Sequence, residues 1–146
     1  MKTAILYAST HHGNTRKVVR AIAEASPDVT LLDVTRAAPD GLSGFDRIGL
    51  ASGVYYGNYH TALLRYAQEH LPGGVPVFFL HTAGSPRRSH CREAERIAAG
   101  KGCPLLGVYF CKGFDTFGPF RLIGGIAKGH PTARELQAAV AFYRGL

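Results

Sequence analysis

The chain has 146 residues, 46% of them hydrophobic and 18% charged, with 18 glycines and a formal net charge of +7. That length suits one domain with a buried core rather than two. The composition excludes disorder and low-complexity architectures, and three cysteines without C-x-x-C spacing exclude a disulfide scaffold or zinc ribbon. The charge asks for an anionic partner, such as a nucleotide cofactor, a nucleic acid or an acidic protein surface, without choosing among them.

In chain order, the opening TAILYAS stretch is apolar but too short for a signal-peptide core, and no run reaches the length of a membrane span, so a cytoplasmic protein is expected. Lys2–Ser9 is a nearly continuous apolar run, the pattern of a parallel strand covered on both faces. Val18, Val19, Ile22 and Ala23 then recur at helical spacing until Pro27. Val29–Val34 predicts a second strand and Asp46–Val54 a third, joined by an irregular stretch, Thr35–Phe45, that contains Pro39, Gly41 and Gly44. The spacing of Leu63, Leu64, Ala67 and Leu71 predicts a helix over Thr61–Leu71. Val75–Thr82 reads as a fourth strand, Ser89–Ala99 as a helix and Pro104–Phe110 as a fifth strand. Thr132–Leu146 follows Pro131 as an amphipathic helix with Leu136, Val140 and Tyr143 on one stripe.

Strand and helix alternating in this way predict an α/β fold, a doubly wound five-stranded parallel sheet with helices on both faces, in a single domain over 1–146. Such sheets bind ligands outside the carboxyl ends of their strands. The unusual loops all follow strands: STHHGNT the first, GVYYGNYH the third, HTAGSPRR the fourth and CKGFDTFGPF the fifth.

Three readings compete for the first of these loops. As a phosphate cradle, Ser9, Thr10, Asn14 and Thr15 supply hydroxyl and amide donors, Gly13 allows a tight turn, and the helix after it points free N–H groups back at the loop. Neither the Walker pattern nor G-x-G-x-x-G is present. As a metal site it has only His11 and His12, whose side chains diverge and which have no carboxylate or cysteine at ligand spacing. As a plain helix start it needs nothing but a capping hydroxyl. The third-strand loop adds Tyr55, Tyr56 and Tyr59 around a Gly57–Asn58 turn, where a flat aromatic ligand would stack.

With these loops in place, the chain resembles the flavodoxin family, and specifically its short bacterial members, over nearly its whole length. The resemblance implies an FMN-binding domain. Carried over residue by residue, it implies phosphate contacts from Ser9, Thr10, Gly13, Asn14 and Thr15, with His11 or His12 as a further donor. It implies that Gly53, Val54, Tyr55, Tyr56, Gly57 and Asn58 line the flavin ring, and that Thr82, Ala83 and Gly84 line its other edge. The usual family loop reads Ser/Thr-x-Thr-Gly-x-Thr, and His12 here stands where a hydroxyl is expected. If an imidazole meets the phosphate, FMN affinity is expected to weaken as pH rises through the histidine range. Glycine at 57 permits either carbonyl orientation of the Gly57–Asn58 peptide, so a carbonyl there is a candidate acceptor for the reduced ring N–H.

Two function classes follow from the resemblance. One is an electron carrier working with a redox partner protein or an NAD(P)H-linked reductase, as a monomer or weak homodimer. The other is an FMN-dependent NAD(P)H oxidoreductase acting on a quinone-like or other small acceptor. Typical members that act as shuttles are acidic and dock on basic partners, whereas this chain is basic. Arg87, Arg88, Arg92, Arg96 and Lys101 cluster after the fourth strand, where they suit an acidic partner, nicotinamide phosphates or merely a solvated helix face. The aromatic, glycine-rich stretch Gly113–Gly125 reads either as a cover over the flavin or as a structural wrap, with Tyr109, Phe114, Phe117 and Phe120 serving either. The basic residues are not interleaved with a nucleic-acid reading motif, which argues against that partner. No catalytic residue and no metal ligand is assigned. Cys91 and Cys111 are read as structural, and His130 as part of the entry to the last helix.

Overall fold

The structure is a computed structural model that describes residues 1–10, 12–36, 41–116 and 118–146. Its elements, in order, are β1 (Thr3–Ala8), α1 (Asn14–Ala25), β2 (Val29–Asp33), β3 (Arg47–Tyr55), β4 (Asn58–Tyr59), α2 (Thr61–His70), β5 (Val77–Ala83), α3 (Arg92–Gly100), β6 (Leu105–Lys112) and α4 (Ala133–Arg144). Single 3₁₀ turns at Arg88–Cys91 and Gly118–Ile123 lie between β5 and α3 and between β6 and α4. The five long strands are parallel, in the order β2-β1-β3-β5-β6, as the doubly wound reading requires. The two-residue β4 is an addition to that reading: it pairs antiparallel with the end of β3, where the sequence suggested only loop.

β1, flanked by β2 and β3 and covered on both faces, is buried at every position. Alternation sorts its side chains. Ala4, Leu6 and Ala8 enter the core that α2 and α3 cover with Leu63, Tyr66, Ala94 and Ile97, while Ile5 and Tyr7 enter the core under α1 and α4 with Val18, Ile22, Ala139 and Tyr143. The link between β2 and β3 holds no helix among the described residues, and Pro39 lies outside them. Strand ends differ from expectation where hydrogen bonding decides them. β5 starts at Val77, after Pro76, which has no N–H to donate, and β6 continues to Lys112 because its partner β5 runs on to Ala83.

The last helix starts where its cap dictates. Thr132 Oγ1 accepts from Glu135 N at 3.2 Å and Glu135 Oε1 accepts from Thr132 N at 2.8 Å, a reciprocal capping box. The Glu135 carboxylate also pairs with His130 and takes the Lys112 amide at 3.2 Å, so His130 belongs to this helix entry. Burial alone would raise the Glu135 carboxyl, but these donors outweigh it and hold it below its ordinary value. Among the described residues no helix is long and apolar enough to cross a membrane.

Candidate functional site

The chain leaves β1 through two consecutive left-handed residues, His12 (φ 57°) and Gly13 (φ 67°), and enters α1 at once. Gly13 offers no capping side chain; Ser9 Oγ instead accepts from Arg16 N at 3.1 Å, so the first turn of α1 is held by the loop that precedes it. Thr15 is buried, and its hydroxyl meets that of Thr82 at 2.9 Å, joining the start of α1 to the end of β5. Asn14 is buried too. Its Nδ2 donates to the Phe114 carbonyl at 2.8 Å, while its Oδ1 is buried with no partner. Such an orphaned acceptor at a helix start carries a desolvation cost that a ligand donor would remove.

Thr10 is tied to the neighbouring loop, its amide and hydroxyl meeting Tyr55 Oη at 3.3 Å and 2.8 Å. His12 Nε2 lies 2.8 Å from Thr116 Oγ1, and its ring packs on Phe114 with centroids 4.6 Å apart. The imidazole therefore fastens the first loop to the segment after β6. His11 lies outside the described residues. Among the described residues no group of three or more His, Cys, Asp or Glu is gathered closely enough to hold a metal ion.

The second loop is a hairpin of two residues. Val54 pairs with Tyr59 and Tyr55 with Asn58, leaving Tyr56 (φ 52°) and Gly57 (φ 81°) at the tip, both left-handed as a type I′ turn requires. The tip is thus Tyr56–Gly57 and not Gly57–Asn58. That one-residue difference sends Tyr59 away from the rim, where the sequence grouped it: it is 1% exposed and its hydroxyl bonds His81 Nδ1 at 2.9 Å. Tyr56 is 87% exposed. Ser52 secures the neck, its Oγ donating to the Gly53 carbonyl at 2.6 Å and accepting from His60 N at 2.9 Å. Nothing crowds Gly57, so Gly57→Ala is expected to cost only the left-handed backbone strain, about 1 kcal/mol, read as a lower urea midpoint with an unchanged m value.

Between this hairpin and the end of β5 lies an open cleft of about 560 Å³, within the range of small-ligand sites. Tyr56 and Gly57 form one side, Ala83, Gly84, Ser85 and His90 the other, and Asp115, Phe120 and Arg121 line it from the segment after β6. A smaller, adjoining pocket runs inward between Asn14, Gly53, Tyr55, Thr82 and Phe114. The segment after β6 closes on itself, because Asp115 and Ile126 exchange both backbone hydrogen bonds, at 2.9 and 2.8 Å. Phe114 and Phe120 face the rim, whereas Tyr109 does not: its hydroxyl donates to the Glu135 carbonyl at 2.6 Å on the α4 side. Phe117 lies outside the described residues.

Much of the basic cluster after β5 is engaged internally. Arg88 pairs with both oxygens of Glu95 at 3.1 and 3.2 Å, Arg96 pairs with Glu93, and Lys101 Nζ donates to the Leu71 carbonyl at 3.0 Å. All three cysteines are buried thiols; burial raises Cys91 and pushes Cys111 up to about 12, away from the thiolate. The sequence reading missed His81, His90, Asp115 and Arg121. A histidine inside the apolar run VFFLHT was the available signal for the first; the others are brought to the cleft only by tertiary packing. His81 is 1% exposed, its Nε2–H donates to the Arg87 carbonyl at 2.8 Å, and so Nδ1 accepts from Tyr59. Burial, with the charges of His90 and Arg88 beside it, lowers its pKa to about 4, against the Arg87 carbonyl, which raises it.

A family model described as a flavodoxin domain matches residues 4–83. An uncharacterised protein of Methanocaldococcus jannaschii is 34% identical over 149 aligned positions, covering 100% of this chain and 98% of the relative. Among solved structures, a flavodoxin mutant from Fusobacterium nucleatum bound to flavin mononucleotide superposes with a TM-score of 0.68 at 18% identity, covering 99% of this chain and 94% of that one. The rubredoxin oxygen:oxidoreductase of Desulfovibrio gigas gives 0.72 at 15% identity, with 98% of this chain matched to 34% of the larger protein. At such identities these structures speak for the fold. The family match, spanning β1, the first loop, the hairpin and β5, shows that the chain belongs to the flavodoxin family.

Proposed function

We propose that the chain binds FMN at this rim and works as an electron-transfer protein. The phosphate would be held by Ser9, Thr10, Gly13, Asn14 and Thr15, with His11 and His12 completing the loop. The ring would lie among Gly53–Asn58 and Thr82–Gly84. The observation that carries the reading is the cleft of about 560 Å³ at the ends of β3 and β5, joined to a smaller pocket that reaches the start of α1; there the buried, partnerless Asn14 Oδ1, an acceptor, suits a hydroxyl of the ligand and not a phosphate oxygen. The donor set suits a phosphate, since it combines hydroxyls, helix N–H groups and the positive end of the helix dipole.

Bound there, a flavin supplies one- and two-electron chemistry that no side chain of the protein has. The protein's own part is to orient and to exclude water. Tyr56, at the tip of the two-residue turn, lines the cleft; Phe114 lines the inner pocket and Phe120 the outer cleft; Ser52 ties the neck of the hairpin, and the Thr15–Thr82 pair joins the start of α1 to the end of β5. The Gly57 carbonyl region keeps the freedom that a reorienting peptide needs.

A second reading, an FMN-dependent NAD(P)H oxidoreductase with a small acceptor, is favoured by His90 and Arg121, polar groups that line the cleft beyond what a carrier needs. Anaerobic mixing of the FMN-loaded protein with NADH or NADPH separates the two. The carrier reading expects nicotinamide oxidation well below about 1 s⁻¹, the lower end of ordinary enzyme turnover, with prompt reduction by dithionite. Oxidation at or above that rate assigns the protein to the oxidoreductases.

A further inference from the structure

The positive charge of this protein is concentrated in the two chain segments that follow β5 and β6, each of which contributes residues to the cleft. The segments 84–92 and 112–132, which follow β5 and β6, hold Arg87, Arg88, Arg92, Lys112, Arg121 and Lys128 against a single acid, Asp115, and so carry five of the chain's seven net positive charges. Arg88 is paired with Glu95. The other five basic side chains form no ion pair among the described residues. The second of these segments and the hairpin tip carry, apart from Met1, the most exposed large apolar side chains among the described residues: Leu122 at 88%, Tyr56 at 87% and Ile123 at 73%. Tyr56 and Arg121 both line the cleft, and Leu122 and Ile123 follow Arg121 in the same 3₁₀ segment.

Exposed apolar side chains carried on predominantly basic segments are the anatomy of an electrostatically steered docking face, in which the charges govern encounter and the apolar groups exclude water. We infer that this face docks an acidic redox protein, one whose own exposed apolar patch is surrounded by Asp and Glu. The inference rests on the carrier reading proposed above. It reverses the sign expected of an acidic shuttle, and it gives the net charge of +7 a place and a purpose. Outside these segments the charges nearly balance, with eleven basic residues against nine acidic ones; Arg16 and Arg36 share Asp33, and Arg96 pairs with Glu93.

The test uses the full chain with FMN added, and two probes of opposite charge: an acidic [2Fe–2S] ferredoxin and basic cytochrome c. Ferredoxin is expected to bind, with affinity falling about tenfold or more between about 20 and about 200 mM salt. The double variant Arg92→Glu/Arg121→Glu is expected to weaken ferredoxin binding about tenfold or more, as is Leu122→Ser/Ile123→Ser, while Arg65→Glu, exposed on α2, leaves it unchanged. Tighter binding of cytochrome c, binding of neither probe, or equal ferredoxin affinity in the charge-reversed variant overturns the inference. So does displacement of ferredoxin by adenosine 2′,5′-bisphosphate at micromolar concentration, which would give these arginines to a nucleotide. Quenching of FMN fluorescence is read on the same samples, so a failure of flavin uptake is seen separately from a failure of docking.

Discussion

Between pH 6.5 and pH 4 the protein is expected to lose about 3 kcal/mol of stability through His81 alone. Its imidazole is buried between Tyr59 and the Arg87 carbonyl, and its pKa of about 4 lies below the unfolded value of 6.5. The sign follows from proton counting: in that window the unfolded chain binds a proton that the folded chain refuses. The contribution is therefore whole above pH 6.5 and is lost as pH falls through 4, where protonation of Nδ1 also destroys its acceptor role toward the Tyr59 hydroxyl. Urea unfolding at pH 7.0 and pH 4.5 measures the loss. His81→Gln keeps a donor for Arg87 and an acceptor for Tyr59 without a titrating group, and is expected to flatten the profile across the window. A wild-type profile that is already flat would show that His81 is not held neutral by its surroundings. Glu135, held below its ordinary value, acts in the same direction only at lower pH, so the two transitions separate.

Gly113→Ala is expected to raise the FMN dissociation constant about tenfold or more, equivalent to about 1.4 kcal/mol. Gly113 donates to the Ala83 carbonyl at 2.9 Å just beyond β6, and a methyl group there would stand 2.7 Å from Asn14 Nδ2 and 2.9 Å from its Cβ and Cγ. Asn14 is the first residue of α1 and cannot retreat without dragging the helix start, so the phosphate loop must shift. Overpacking of this kind costs stability as well, about 1–3 kcal/mol. Affinity is therefore read at a temperature where circular dichroism shows the variant folded. Gly100→Ala, at the end of α3 with open space around it, serves as the control and leaves affinity unchanged. Equal affinity in Gly113→Ala would remove Asn14 and its loop from the binding site.

Where sequence reasoning reached the fold, it did so through burial. TAILYA reads as a doubly covered strand because alternate residues feed two different cores, and the four rim loops are legible because parallel topology places every loop after a strand on one edge. It fell short where tertiary packing overrides local chemistry. The tip of the hairpin reads as Gly57–Asn58, a common turn dipeptide, yet the chain places an aromatic residue, Tyr56, in the left-handed position, and the slip of one residue moves Tyr59 from rim to core. The basic cluster looked uniform in sequence, and only helix geometry sorts it into paired Arg88 and Arg96 and unpaired Arg87 and Arg92. His12 drew attention as a possible ligand; the structure ties its Nε2 to Thr116, a contact across 104 residues of sequence. The contribution of Asp115 and Arg121 to the cleft depends on the backbone pairing of Asp115 with Ile126, which no periodicity announces.

The central claim, that this rim is an FMN site, is tested most directly by titrating FMN with the purified protein and following flavin fluorescence. The account predicts quenching that saturates at one FMN per chain with a dissociation constant of about 1 μM or below, abolished or strongly weakened by Gly113→Ala and little changed by Arg65→Glu. Fluorescence that stays at the level of free FMN with protein in excess at about 100 μM would contradict it.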